Sequence, residues 1–170
     1  AQQDLLEREA CYTAIRNKML SFLAVREHSA FELRRKLQQR FYKSATSDVN
    51  SLVERCLLEM QERDFQSDER FANRFVESKL ANNSYGPFRI LQDLQNRGIS
   101  RELSQTILSE LGNQELWLKK AAECLERLHT KGKKQTPAAL SQKLYQRGFS
   151  WEIIEQALTE YQNINKQSES

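Results

Sequence analysis

The sequence predicts an all-α fold of three tandem three-helix repeats, and three observations carry that reading. Apolar residues recur at the three- and four-residue spacing of a buried helical face along nearly the whole chain. Five glycines and two prolines in 170 residues are too few for a loop-rich or all-β protein. The third observation is self-similarity. Ile90, Leu94, Arg97, Gly98 and Ser100 return 50 residues later as Leu140, Leu144, Arg147, Gly148 and Ser150. Leu103, Ile107, Leu108 and Leu111 return as Ile153, Ala157, Leu158 and Tyr161, and Gly86-Pro87 as Thr136-Pro137. A shift of 57 the other way lands on Ser29, Leu33, Leu37 and Arg40. A period of this length marks one helical unit stacked several times, which makes a rigid, curved solenoid.

The first repeat is assigned to residues 1–63. Residues 1 to about 10 are polar and read as a frayed end. Tyr12, Ile15, Met19, Phe22 and Leu23 line a helix that ends near Arg26. Ser29-Ala30-Phe31-Glu32 has the form of a capping box, in which serine and glutamate satisfy two orphan backbone donors. Phe31, Leu33 and Leu37 carry that second helix to about Phe41. A loop through Ser44, Ala45, Thr46 and Ser47 leads to Asp48, placed to cap a third helix lined by Leu52, Cys56, Leu57 and Met60.

Residues 64–111 form the second repeat, where every boundary is marked. Ser67 precedes Asp68 and Glu69, an N-cap followed by acids where the helix dipole favours them. Phe71, Phe75, Val76, Lys79 and Leu80 follow. Gly86-Pro87 opens the next helix with proline at its first position, where a missing N–H costs nothing. Ile90, Leu91 and Leu94 line its face. In Arg97-Gly98-Ile99-Ser100, Gly98 supplies a left-handed stop, Ile99 turns inward and Ser100 caps the last helix.

The third repeat spans 112–162 and starts on Gly112-Asn113, a stop followed at once by a start. Leu116, Trp117, Ala121, Leu125 and Leu128 form a buried stripe. Glu115 with Lys119, and Glu123 with Arg127, have the spacing of surface pairs. Pro137, Gly148 and Ser150 repeat the turn roles of Pro87, Gly98 and Ser100. Trp117 and Trp151 stand at helix starts among apolar neighbours and are assigned to the core or to packing between repeats. Residues 163–170 are polar and read as a disordered tail.

Chemistry is sparse. No apolar run approaches the roughly 20 residues that span a bilayer, and no secretory pattern is visible. A cytoplasmic protein without membrane contact is expected. Cys11, Cys56 and Cys124 are isolated, which suits buried reduced thiols and not a zinc or redox pair. His28 and His129 are alone in their neighbourhoods and read as solvated or capping side chains. There is no phosphate-cradling glycine loop, nucleophile elbow or metal-ligand spacing. No catalytic residue, metal or cofactor is therefore assigned, and the chain does not read as an enzyme.

Net charge is only +3, but its distribution is uneven. From Arg26 to Lys43 stand Arg26, Arg34, Arg35, Lys36, Arg40 and Lys43, opposed by Glu27 and Glu32. A second basic knot is Lys131, Lys133 and Lys134. Arg26, Arg34, Arg35, Lys36, Arg40 and this knot are the candidate partner-binding residues. The competing reading is an ordinary solvated face, since the consecutive Arg34, Arg35 and Lys36 cannot share one side of a helix. The last two helices of each repeat have the form of a helix-turn-helix, which invites a DNA-reading role. The final helix opposes it, because Trp151 to Tyr161 carries Glu152, Glu155 and Glu160 and no lysine or arginine, and would bring carboxylates toward phosphates.

Phe65-Gln66-Ser67-Asp68-Glu69-Arg70-Phe71-Ala72, Tyr85-Gly86-Pro87-Phe88-Arg89-Ile90 and Leu94-Gln95-Asn96-Arg97-Gly98-Ile99 closely resemble the RecX family, bacterial regulators of the RecA recombinase. Leu23-Ala24-Val25-Arg26-Glu27-His28-Ser29 and Glu32-Leu33-Arg34-Arg35-Lys36-Leu37 resemble the first repeat of that family. The chain departs at Asp64, where the family usually has glycine, and at Asn82 and Asn83, where it tends to have a basic residue. The resemblance implies three tandem three-helix repeats in an elongated, curved body. It also implies binding to RecA, in the groove of its DNA-bound filament or at a growing end. Such binding restrains filament extension and the recombinase, ATPase and coprotease activities. A monomer with at most weak direct contact to single- or double-stranded DNA is expected. The alternative is a helical-repeat nucleic-acid-binding protein acting directly on DNA.

Overall fold

The computed structural model describes residues 2–44, 48–82, 84–129 and 135–168. Among them are nine α-helices and no strand: α1 (Gln2–Val25), α2 (Ala30–Phe41), α3 (Val49–Glu62), α4 (Asp68–Asn82), α5 (Pro87–Gln95), α6 (Arg101–Leu111), α7 (Gln114–His129), α8 (Pro137–Gln146) and α9 (Trp151–Ser168). They fall into two compact units. The first holds α1, α2, α3, the start of α4 through Arg74 and the Arg97–Ile99 turn. The second holds α4 from Phe75 onward with α5 to α9.

In the first unit, α1, α2 and α3 pack on one another around Ile15, Met19, Leu33, Leu37, Leu52, Cys56 and Met60, all fully enclosed. Each such aliphatic side chain contributes roughly 1.5–3 kcal/mol by leaving water. A polar seam closes the side of this core. Tyr12 Oη donates to Glu59 at 2.6 Å and Arg16 Nε donates to the same carboxylate at 3.0 Å. The Arg16 and Tyr12 hydrogen bonds hold Glu59 down at about 2. Burial, then the bond to Glu59, pushes the Tyr12 hydroxyl up to about 12.

In the second unit, α7, α8 and α9 pack together in the same manner, enclosing Ala121, Cys124, Leu125, Leu144 and Ile154, while α5 packs on α6. Cys56 and Cys124 are buried and Cys11 is half-buried, all as free thiols. Leu94 and Leu144 are both fully enclosed.

The helix starts follow their cap residues. Ser29, Ser67, Ser100, Thr136 and Ser150 each accept the backbone N–H three residues on, at 3.1–3.3 Å, a contact worth about 1 kcal/mol. Four expectations change. Glu32 does not close a capping box on Ser29, because Arg26 holds its carboxylate at 3.1 Å; Asp68 Oδ1 takes a different orphan donor, the Ala30 N–H, at 2.8 Å. Asp48 stands at the N-cap of α3, but its carboxylate turns to Arg8 at 2.7 Å. That ion pair, with Arg55–Glu9 at 3.2 Å, ties down a helix that starts at Gln2 where a frayed end was expected. Likewise α9 continues through residues 163–168, assigned above to a disordered tail. No glycine or proline follows Tyr161, and each added residue continues the hydrogen-bond ladder at little cost.

Gly98 and Gly148 are left-handed, with φ of 78° and 89°, and each turn seats on the start of an earlier helix. In the second unit Gly86 N–H donates to Arg147 O at 2.8 Å and Phe88 N–H to Gly148 O at 3.1 Å. A Cβ on Gly86 would strike the Gly148 carbonyl, and one on Gly148 would strike the backbone of Arg89. In the first unit Ser29 Oγ donates to Arg97 O at 2.7 Å, and Gly98 lies against Phe31. Asp64 is also left-handed, with φ 56°. Arg70 holds its carboxylate at 2.6 Å and its carbonyl at 2.9 Å.

Candidate partner-binding surfaces

The basic stretch around α2 is less free than its composition suggests. Arg34 forms a two-pronged pair with Glu54 of α3, at 2.6 and 3.0 Å, and that bond raises its pKa. Arg26 donates to the Glu27 carbonyl at 2.7 Å and to Glu32 at 3.1 Å. Lys36 Nζ lies 3.0 Å from His28 Nε2 and 4.8 Å from the centre of the Phe22 ring. Arg35 and Arg40 are exposed, without an ion pair among the described residues. Five residues apart, they lie roughly 140° apart around the helix. Lys131, Lys133 and Lys134 lie outside the described residues.

Of the two readings given for His28, solvated or capping, burial removes the solvated one. Only 2% exposed, His28 faces the Arg26 carbonyl through Nδ1 at 3.0 Å and the Lys36 ammonium through Nε2. Lys36 has only protons to give, so Nε2 accepts, Nδ1–H donates and the ring is neutral. Burial, reinforced by the Arg26 and Lys36 charges, lowers its pKa. His129 is exposed and pairs with the Tyr161 hydroxyl at 2.9 Å.

A second surface, absent from the sequence reading, is built within the second unit. Tyr85 precedes Gly86-Pro87, and its ring gathers three cations. Lys79 of α4, Arg89 of α5 and Arg147 at the end of α8 lie 5.6, 5.6 and 5.9 Å from the ring centre. Lys79 also stands 5.3 Å from the Phe75 ring. The Gly148 turn creates this convergence, since its backbone bonds to Gly86 and Phe88 bring Arg147 beside Arg89.

Arg89 also lines a groove of about 490 Å³ with Phe88, Gln92, Tyr145, Gln146 and Trp151. Trp151, expected in the core or between repeats, is instead 55% exposed. At the first position of α9 it lies outside the Ile153, Ile154, Ala157 and Leu158 stripe, and it stacks on Tyr145 with ring centres 4.9 Å apart and planes 15° apart. Trp117 is buried, as assigned, against Gly112. The only sequence signal for the groove was a pair of aromatics flanking the Arg147-Gly148 turn.

Among the described residues no helix is long and apolar enough to cross a membrane, and no group of three or more His, Cys, Asp or Glu is placed to hold a metal ion. Successive three-helix sets, two of them with a left-handed glycine between their last two helices, define a helical-repeat protein. The family model for the second three-helix domain of RecX matches residues 67–108. The regulatory proteins RecX of Salmonella heidelberg and Salmonella agona are each 36% identical over 107 residues, covering 61% of this chain and 64% of theirs. The chain thus matches just under two thirds of the length of those relatives. The crystal structure of RecX from Lactobacillus salivarius aligns with a TM-score of 0.72 at 20% identity, over 89% of this chain and 97% of that one. A second crystal structure of the regulatory protein RecX aligns at 0.77 and 20% identity, over 88% and 73%. At that identity the two structures speak for the fold. The family model and the named relatives support the RecX family, and the two solved structures support its fold.

Proposed function

We propose that this chain is a regulator of RecA that binds the RecA–DNA filament, in its groove or at a growing end. Bound there, it restrains filament extension and the recombinase, ATPase and coprotease activities. The observation that carries this reading is the 36% identity to proteins named regulatory protein RecX. Binding of this kind is stoichiometric, and a repeated helical surface adds modest contacts to successive protomers through effective concentration. Arg35 and Arg40, the unpaired cations of α2, supply attraction and orientation more than raw affinity. Acting on a recombinase, the protein would work in the cytoplasm.

The test is RecA's DNA-dependent ATPase with and without this chain. Wild-type protein should inhibit, and the Arg35→Glu/Arg40→Glu variant should inhibit less at an unchanged melting temperature. Arg101→Glu/Lys119→Glu, both exposed and also a double reversal, is the matched control. The control cannot use Lys120, which is 8% exposed and bonded to Glu123 at 3.2 Å. Equal loss in variant and control would reduce the effect to bulk charge. No loss in either would leave the basic stretch as a solvated face. Direct action on DNA is the weaker reading, since Glu152, Glu155 and Glu160 are all exposed on α9.

A further inference from the structure

We propose that the groove between α5 and the α8–α9 turn receives an extended peptide segment of a protein partner, in which an apolar or aromatic side chain stands next to an acidic residue. This proposal does not depend on which protein supplies the segment.

Phe88, Tyr145 and Trp151 are 58%, 53% and 55% exposed. One exposed aromatic is ordinary, whereas three around a single concavity form an anchor site of the kind that binds large apolar side chains. At about 490 Å³ the groove is the size of a small-ligand pocket, room for an anchor side chain and its neighbours rather than for a folded domain. Gln92 and Gln146 line it and offer amide donors and acceptors suited to peptide backbone.

Charge selects the rest of the ligand. Arg89 belongs to both the groove and the Tyr85 cluster, so the groove adjoins the cluster that also holds Lys79 and Arg147. Asp93 pairs with Arg89 at 3.5 Å, which leaves the cluster a net cationic end for a carboxylate. Two features favour peptide over single-stranded nucleic acid. Tyr145 and Trp151 stack on each other, so their inner faces are already covered and are not splayed for bases. Glu152 and Glu155, exposed just beyond Trp151, would repel a run of phosphates but tolerate one carboxylate at the far end. The walls are preset by backbone bonds from Gly86 and Phe88 to the Arg147-Gly148 turn, which lowers the ordering cost of binding.

The experiment measures fluorescence anisotropy of labelled peptides titrated with the full chain. One peptide carries a Phe-Leu pair beside two aspartates. In the second the aspartates are lysines, in the third the Phe-Leu pair is two serines, and an oligo-dT of similar length is the fourth probe. The first should bind saturably, and the second and third should bind at least about tenfold more weakly. Trp151→Ala and Arg147→Glu should each weaken the first by about tenfold or more with melting temperatures unchanged, while Lys119→Glu leaves it as it was. Undiminished binding to Trp151→Ala, preference for the lysine peptide, or absence of saturable binding by any peptide would overturn the proposal. Oligo-dT binding that depends on Trp151 would make the groove a nucleic-acid site instead.

Discussion

Between Arg26 and Arg40 five basic side chains crowd one stretch of chain, whereas Lys79, Arg89 and Arg147 come from α4, α5 and the end of α8. The crowded group disperses on folding. Arg34 turns to Glu54, Arg26 to Glu32 and Lys36 to His28, and the two cations left over look in different directions. The scattered group converges on one aromatic ring. Density of charge along a chain is thus a poor guide to density in space, because a helix turns consecutive residues about 100° apart. Convergence needs a tertiary joint, and here the Gly148 turn provides it.

The comparison breaks first if the joint breaks. Leu94→Ala and Leu144→Ala should each cost roughly 2–5 kcal/mol in chemical denaturation, since both side chains are fully enclosed. Leu144→Ala, at the base of the joint, should also diminish the Tyr85 cluster.

Gly148→Ala should cost about 2–4 kcal/mol, combining left-handed strain with overpacking. Its obstacle is the Arg89 main chain, so no truncation at Arg89 should rescue it. Gly98→Ala meets the Phe31 side chain instead. In a Phe31→Gly background its cost should fall toward the strain alone, about 1–2 kcal/mol. Equal costs in both backgrounds would show that the two turns are seated alike.

The burial of His28, with Arg26 and Lys36 beside it, predicts a pH dependence. The folded-state pKa of His28 is lowered, so the unfolded chain takes up its proton first. The stability from a neutral His28 is complete above the ordinary value near 6.5 and falls as pH drops through the lower folded value. Thermal melts from pH 7.5 to 5 should show a decline that His28→Gln flattens.

Smallest is Arg34→Ala. Its pair with Glu54 is two-pronged, but both side chains are near half-exposed, at 40% and 47%. Below about 1 kcal/mol is expected, and a larger loss would mean that the cluster on α2 is structural.

Much of the fold was legible because its signals are local. Serine and threonine caps, Pro87 and Pro137 at helix starts, and the left-handed Gly98 and Gly148 each act within a few residues, and the 50-residue period aligned them. What remained hidden depends on distant partners. Asp48 reads as a side-chain cap until Arg8 from another helix claims it, and His28 reads as solvated or capping until α2 folds over it and leaves it buried. Trp151 reads as core by its apolar neighbours, but its place at the first turn of α9 turns it outward. Asp64 is the inverse case. The resembled family usually has glycine at this position, which is left-handed here, and aspartate fills it with its carboxylate held by Arg70.

The proposed action on a RecA filament rather than on DNA is tested most directly by a pull-down against nucleotide-loaded RecA filaments, with bare single-stranded DNA as the parallel arm, across a range of salt. Retention on filaments with only a shallow fall as salt rises, and little retention on bare DNA, is the predicted result. Equal retention on both, lost steeply with salt, would contradict it.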